Sequence, residues 1–208
     1  MTKVGIIGGG DLGRQFRHYI SQAPKAQVVG WYDDTVVAGT EVSGLPVMGG
    51  LSDLTGDSEL KLAIAIGYKH IAFKIKLLSQ LQHLGASLYT FAHPSSFIDK
   101  ESLVEAGVFI YPGCVVEKNV VIEKGALLNN GVIVSHDSRV GAASFIAPGV
   151  TICGNATIGK GCFVGAGTII SDGVSIPDFT TLGAGTLVHQ TIESSGTYVT
   201  KTVLRRIK

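Results

Sequence analysis

With 208 residues the chain has room for one large domain or two small ones, and a formal net charge of +1 supplies no field that would hold nucleic acid. Charged residues make up 16% and hydrophobic ones 45%, with 28 glycines; this balance excludes a disordered polyelectrolyte and favours tight turns between buried strands. No run approaches the roughly 20 apolar residues of a membrane span, so no membrane partner is expected.

The opening "MTKVGIIGGGDLG" lacks the charged, apolar and cleavage regions of a signal peptide and reads as a strand followed by a Gly-rich turn. Leu12, Phe16, Tyr19 and Ile20 then recur at helical spacing. "AQVVGWYDD" reads as a second strand and "LKLAIAIG" as a third. The helix after it carries Ile71, Ile75 and Leu78 on one face, widened by Leu77, Leu81 and Leu84. "ASLYTFAHP" closes this half as a short strand. Strands alternating with helices predict a small parallel α/β sheet over residues 1–92. Cys114, Cys153 and Cys162 are odd in number and form no CxxC, which fits reduced core thiols in a cytoplasmic protein. The basic "LRRIK" at the end reads as a solvated tail.

Gly8, Gly10 and Gly13 spell GxGxxG where a strand turns into a helix, and Asp33 follows twenty residues later at a strand end. Alone, that points to NAD. A dinucleotide fold needs two mononucleotide halves, however, and about ninety residues hold only one. One half can cradle a single nucleotide diphosphate on its Gly loop and helix N-terminus. For Asp33 and Asp34 a solvated turn is the plain alternative.

From Ile98 the period becomes six. Val104, Ile110, Val116, Ile122, Leu128, Val134, Val140, Ile146, Ile152, Ile158, Val164, Ile170, Ile176, Leu182 and Val188 continue it without a break. Four residues past these positions come small or β-branched residues, as at Ser102, Val108, Cys114 and Ala126, often preceded by Gly. Neither a helix nor an ordinary strand has this period. A parallel β-helix does, with three six-residue sides per coil, aliphatic side chains stacked along the axis and glycines at the corners. Residues 93–208 are assigned to it together with a C-terminal tail, and residues 98–188 make ~5 coils with a length of ~25 Å at the strand spacing of ~4.8 Å. His136 and Asp137 interrupt the pattern two and three residues past the inward Val134, so they project from a corner. On the residues alone this is either an exposed pair or a general base with its orienting carboxylate.

The beat, together with the order "IIGGGDLG", "GWYDD", "AIG", "HPSS" and "SHDSRVG", resembles the hexapeptide-repeat superfamily of left-handed β-helix acyltransferases. Within it, the chain is similar to the bacterial nucleotide-sugar acetyltransferases that N-acetylate UDP-4-amino sugars in bacillosamine synthesis; sialic-acid O-acetyltransferase-like proteins share the architecture. The resemblance implies a left-handed coil after a Rossmann-like domain, acetyl-CoA as co-substrate, a nucleotide-linked amino sugar as substrate, and a homotrimer. It implies that His136 is the general base oriented by Asp137, and that the Gly154 backbone N–H faces the thioester carbonyl. The coenzyme A arm is expected near Phe145, Ala166 and Ala184, and the sugar near Asn129. The nucleotide is expected on Gly10, Asp11 and Leu12, on Asp33 and Asp34, and on Gly67 of the "AIG" stretch. Leu12 stands where the bacillosamine-type enzymes carry a second His, and Phe145 where some relatives have one.

Other readings are open. Sugar O-acetylation would use the same base, and a trimeric nucleotide-binding scaffold would need none. A zinc carbonic anhydrase on this fold is rejected, because it needs three His ligands and the repeat offers His136 and, at its end, His189. A sugar nucleotidyltransferase is rejected too, because it needs a larger N-terminal domain with an Arg-containing Gly loop, which the sequence lacks.

Overall fold

The computed structural model describes residues 1–57 and 59–200; the basic tail Leu204–Lys208 lies outside the described residues. The first half is a layer of α and β. Strand β1 (Thr2–Ile7) is a continuous buried run rather than an alternating one, as expected of a central parallel strand. It pairs in parallel with β2 (Ala26–Tyr32) and β5 (Leu60–Ile64), each reached through a crossover. With β3 (Glu41–Val42), β4 (Leu45–Gly49) and β6 (Ser87–Leu88) the order across the sheet is β3-β4-β2-β1-β5-β6.

Helix α1 (Asp11–Ser21) buries Phe16 and Ile20, and Gly13 lets it lie directly on the preceding loop, because a Cβ there would strike the Gly8 carbonyl oxygen. Helix α2 (Ile71–His83) buries Ile71, Leu77, Leu78 and Leu81, and with them Lys74, whose ammonium is pulled down to about 8 by burial. Leu84, expected to widen this face, follows the last turn and is exposed. The sequence reading had no place for the β3–β4 hairpin, the one antiparallel pair in this sheet. Its turn residues Ser43 and Gly44 take φ of 51° and 77°, the two-residue geometry that suits strand twist.

From Phe91 the chain winds as a stack of two-residue strands in three parallel sheets, which fits the left-handed β-helix implied by the resemblance. Residue i pairs with i + 18 throughout, as Val115 with Ile133 and Arg139 with Thr157. All sixteen aliphatic positions of the six-residue beat are the second residue of a strand, and from Ile110 onward all are buried on the axis. The small residues four positions later point inward too, and their hydroxyls are satisfied by the backbone. Ser138 Oγ, for example, donates to the Cys153 carbonyl at 2.9 Å, and Ser144 Oγ to that of Gly159 at 2.9 Å. The nine corner glycines between Gly107 and Gly185 have φ between 63° and 76°. Where the corner beat lacks Gly, the same left-handed conformation is held by Asn119, Asp137, Ala143, Asn155 and Phe179.

The three faces differ. The first, with Phe109, Phe145 and Phe163 outward, is covered by the chain's own α/β layer: Phe16 of α1 stacks on Phe109 at 3.6 Å, and the Tyr111 hydroxyl donates to Gln15 Oε1 at 3.1 Å. The second presents a column of Phe97, Val115, Ile133, Thr151, Ile169 and Leu187, and four of these apolar side chains are exposed. The third is mostly polar, with Arg139, Thr157 and Ser175 exposed. The three cysteines are free thiols. Among the described residues no helix is long and apolar enough to cross a membrane.

Ile152 sits fully buried on the axis between Val134 and Ile170. Ile152→Ala should cost about 2–5 kcal/mol, the range for emptying a buried aliphatic site. Denaturant unfolding followed by circular dichroism measures it, and a loss under about 1 kcal/mol would mean the axis collapses around the gap.

Candidate active site

His136 and Asp137 occupy the corner between the second and third faces, at the edge opposite the covered first face. The imidazole is half exposed, and its Nδ1 lies 2.9 Å from Asp137 Oδ2. Asp137 Oδ1 accepts the Asn119 side-chain amide at 2.9 Å from one coil earlier. That bond, ahead of the one from His136, holds the Asp137 carboxyl below its ordinary value of 3.8. An ionised carboxylate only accepts, so the proton on the ring belongs to Nδ1, which donates to Asp137. Nε2 is left as a lone-pair acceptor pointing away from the pair. Asp137 takes φ 58°, a conformation Asp tolerates better than most side chains, and this aims its carboxylate back along the corner at its neighbour.

The backbone around the ring is fixed from the coil before it. The His136 N–H donates to Glu117 Oε2 at 2.9 Å. One coil later the residue in the Glu117 column is Ser135, whose side chain is too short for the same bond. Among the described residues the Gly154 N–H accordingly has no hydrogen-bond acceptor. Gly154 also makes room for the ring: a Cβ there would lie 2.7 Å from both Nε2 and Cε1 of His136. The corner therefore combines an oriented imidazole with a backbone N–H beside it, groups able to take up a proton and to donate to a nearby oxyanion. Asn119 and Glu117 are not in the sequence reading, although each lies within a residue or two of eighteen positions before the group it holds.

Ala166 and Ala184 stack one coil apart at the other edge of the second face, and Asn129 lies at that edge one position before their column. The structure sets Phe145 apart from them. Its ring is on the first face, 8% exposed, 5.6 Å from Tyr68 and 5.9 Å from Phe163, so in this chain it seals the α/β layer to the prism.

The remaining expected residues gather where the parallel strands end. Gly10 caps α1, with Asp11 and Leu12 in its first turn, and Gly67 precedes the short turn leading into α2. A Cβ at Gly10 or Gly67 would meet nothing within 4 Å, so both borders are open. Strand ends and helix starts meeting at an open Gly loop are an arrangement suited to phosphate. The two acids beside it are committed to the backbone. Asp33 Oδ2 accepts the Gly9 N–H at 2.8 Å, and its Oδ1 accepts the Thr35 N–H and hydroxyl. Burial pushes this carboxyl up, but the Thr35 and Gly9 hydrogen bonds outweigh it and the net shift is downward. Asp34 Oδ1 accepts the Leu51 N–H at 2.7 Å. Asp11 pairs with Arg14. Tyr68, absent from the sequence reading, stacks on Phe163 at 4.3 Å and ties the short turn before α2 to the prism.

A six-residue beat wound into a prism, with an oriented surface histidine at one corner, defines a hexapeptide-repeat protein. Residues 89–204, more than half of the chain, match the family model described as the GMPPB C-terminal domain, and the chain belongs to that family. No curated protein matches it. Among solved structures it is similar to the acetyltransferase domain of PglB from Neisseria gonorrhoeae FA1090 in complex with acetyl coenzyme A, at 23% identity and a TM-score of 0.86 over 96% of each chain. It is similar to PerB from Caulobacter crescentus in complex with CoA and GDP-perosamine, at 28% identity and a TM-score of 0.85 over 95% of this chain and 94% of that one. A histidine variant of the perosamine N-acetyltransferase from Caulobacter crescentus, in complex with the same two ligands, gives 27% identity and a TM-score of 0.84 over 95% and 93%.

Asn119→Ala removes the leading cause of the Asp137 shift, so the carboxyl should titrate closer to 3.8 than in the parent protein. Carbon-13 NMR of the side-chain carboxyls reads this directly. An unmoved Asp137 would mean that His136 alone holds it.

Proposed function

We propose that the protein transfers the acetyl group of acetyl-CoA to the amine of a nucleotide-linked amino sugar, with His136 as general base. The observation that carries this is the corner itself: Asp137 anchors Nδ1, Nε2 is available, and one coil away the Gly154 N–H has no acceptor among the described residues. In the reaction Nε2 takes a proton from the attacking amine. The thioester oxygen, as it gains charge, is stabilised by the Gly154 N–H, and the proton leaves on the coenzyme's sulfur. Acetyl-CoA and GDP-perosamine in the similar proteins support this substrate pair. The Rossmann-like layer, residues 1–92, would hold the nucleotide phosphates on the Gly10–Leu12 loop and at Gly67, with Asp33 and Asp34 shaping the rim. The left-handed prism, described from residue 93 to residue 200, would hold the coenzyme. Free thiols and charged co-substrates fit a cytoplasmic setting.

A homotrimer belongs to the same reading. The α/β layer covers the first face, whereas His136 is at the opposite corner, so a sugar held at one chain's Gly loop lies away from that chain's own histidine. The second face carries the exposed apolar column, with His136 and Gly154 along one edge and Asn129, Ala166 and Ala184 along the other. Packing that face around a three-fold axis would set the His136 edge of one chain beside the Ala166 edge of the next, and α1 is joined to that second edge through Tyr111. The coenzyme would lie in the seam.

His136→Ala should lower turnover about 10²–10⁴-fold, the usual contribution of a general base, with folding intact because the ring is outside the core. Release of free coenzyme A thiol from acetyl-CoA, with GDP-perosamine and UDP-linked 4-amino sugars as acceptors, measures this. No release with any acceptor would favour a scaffold, and release with hydroxyl acceptors alone would favour O-acetylation. For the assembly, Ile169→Asp on the second face should give folded monomers in sedimentation analysis; an unchanged sedimentation coefficient would move the interface elsewhere.

A further inference from the structure

His136, Gly154 and Asp172 occupy the same corner on three successive coils. Side chains stacked in such a column are normally separated by the one between them, and here the middle residue has none. The point a Cβ of Gly154 would take is 2.7 Å from His136 Nε2 and 2.9 Å from Asp172 Oδ1. The two polar atoms therefore face the bare Gly154 backbone close enough for one atom to bridge them. They do not pair with each other, and none of the ion pairs among the described residues includes Asp172.

Both atoms are acceptors. A carboxylate offers only lone pairs, and with its proton on Nδ1 the imidazole offers a lone pair at Nε2. An occupant bonded to both at ~2.9 Å must carry at least two hydrogens on one atom. A primary ammonium has three and a positive charge to match the carboxylate. A sugar hydroxyl has one, and could serve only one of the two acceptors.

We propose that Asp172 is the acceptor-binding carboxylate of the site, holding the ammonium of the amino sugar against His136 Nε2 and making the enzyme selective for amines over hydroxyls. This rests on the acetyl-transfer reading above. The ammonium goes from three hydrogens to one as the C–N bond forms and the thioester C–S bond breaks. One proton goes to solvent before attack, and the other passes through His136 to the coenzyme A thiolate. Asp172 stays ionised throughout and acts by binding and orienting.

The test uses the full chain with Asp172→Asn and Asp172→Ala, acetyl-CoA, and whichever of GDP-perosamine and UDP-linked 4-amino sugars the parent enzyme turns over. Asp172→Ala should raise KM for the amine acceptor ~10–100-fold, the span of a lost charge-assisted hydrogen bond. KM for acetyl-CoA should stay nearly unchanged. Asp172→Asn keeps one acceptor oxygen but not the charge, and should fall between. An unaltered acceptor KM in both variants would overturn the proposal, as would an equal rise in both KM values, which signals a distorted corner. If the parent enzyme releases no coenzyme A with any amine acceptor, the acetyl-transfer reading fails and the proposal with it.

Discussion

The N–H of Phe145 meets the carbonyl of Cys162 at 2.8 Å, that of Ile133 meets Val150 at 2.9 Å, and that of Thr157 meets Val174 at 2.9 Å. This ladder, repeated on three faces, locks each coil eighteen residues ahead of the last. A slip of one residue would turn the aliphatic axis outward and bring the surface in, so the register cannot drift without destroying the core. Every other feature of the prism inherits that rigidity. Side chains eighteen positions apart stand above one another at a spacing close to that of hydrogen-bonded strands, whatever their chemistry.

The corner chemistry is a direct product of those columns. In most folds polar groups that share a site are brought together by loops from distant parts of the chain. Here the His136 imidazole, the Asp137 carboxylate and the Gly154 N–H lie in adjacent columns of one corner. Asn119 reaches Asp137 from the coil before, Glu117 secures the backbone of His136, and Gly154 on the coil after provides both space and a donor. Little rearrangement is required of such a site, because the rows exist before any substrate arrives. The α/β layer is attached differently, through aromatic stacking of Phe16 on Phe109 and Tyr68 on Phe163.

The six-residue beat, the corner glycines and the outward placement of His136 could be read from the sequence because each follows from a strict period. The vertical neighbours were equally legible. The step of eighteen that links His136 to Gly154 also reaches Asn119 from Asp137 and Asp172 from Gly154, but only the first of these was singled out from the sequence. The direction of Phe145 was open to the same treatment, since Phe91, Phe109 and Phe163 share its column and mark that face as the one to be covered. The first half yielded less. The partners of Asp33 and Asp34 are the N–H groups of Gly9 and Leu51, brought in by tertiary folding, and no local pattern announces them. The β3–β4 hairpin rested on a lone Ser-Gly pair between strands too short to show alternation.

The pairing of each residue with the one eighteen positions away also governs how this chain can change length during evolution. Loss of a single residue within the prism would shift every later side chain off its column and separate His136 from Gly154 if it fell between them. Loss or gain of a whole coil leaves all columns intact and only shortens or lengthens the stack. Insertions that loop outward at a corner are tolerated too, because the strands on either side keep their positions. Descendants of this protein should therefore differ by entire coils and by corner loops, while the stretch from Asn119 to Asp172 keeps its residue count.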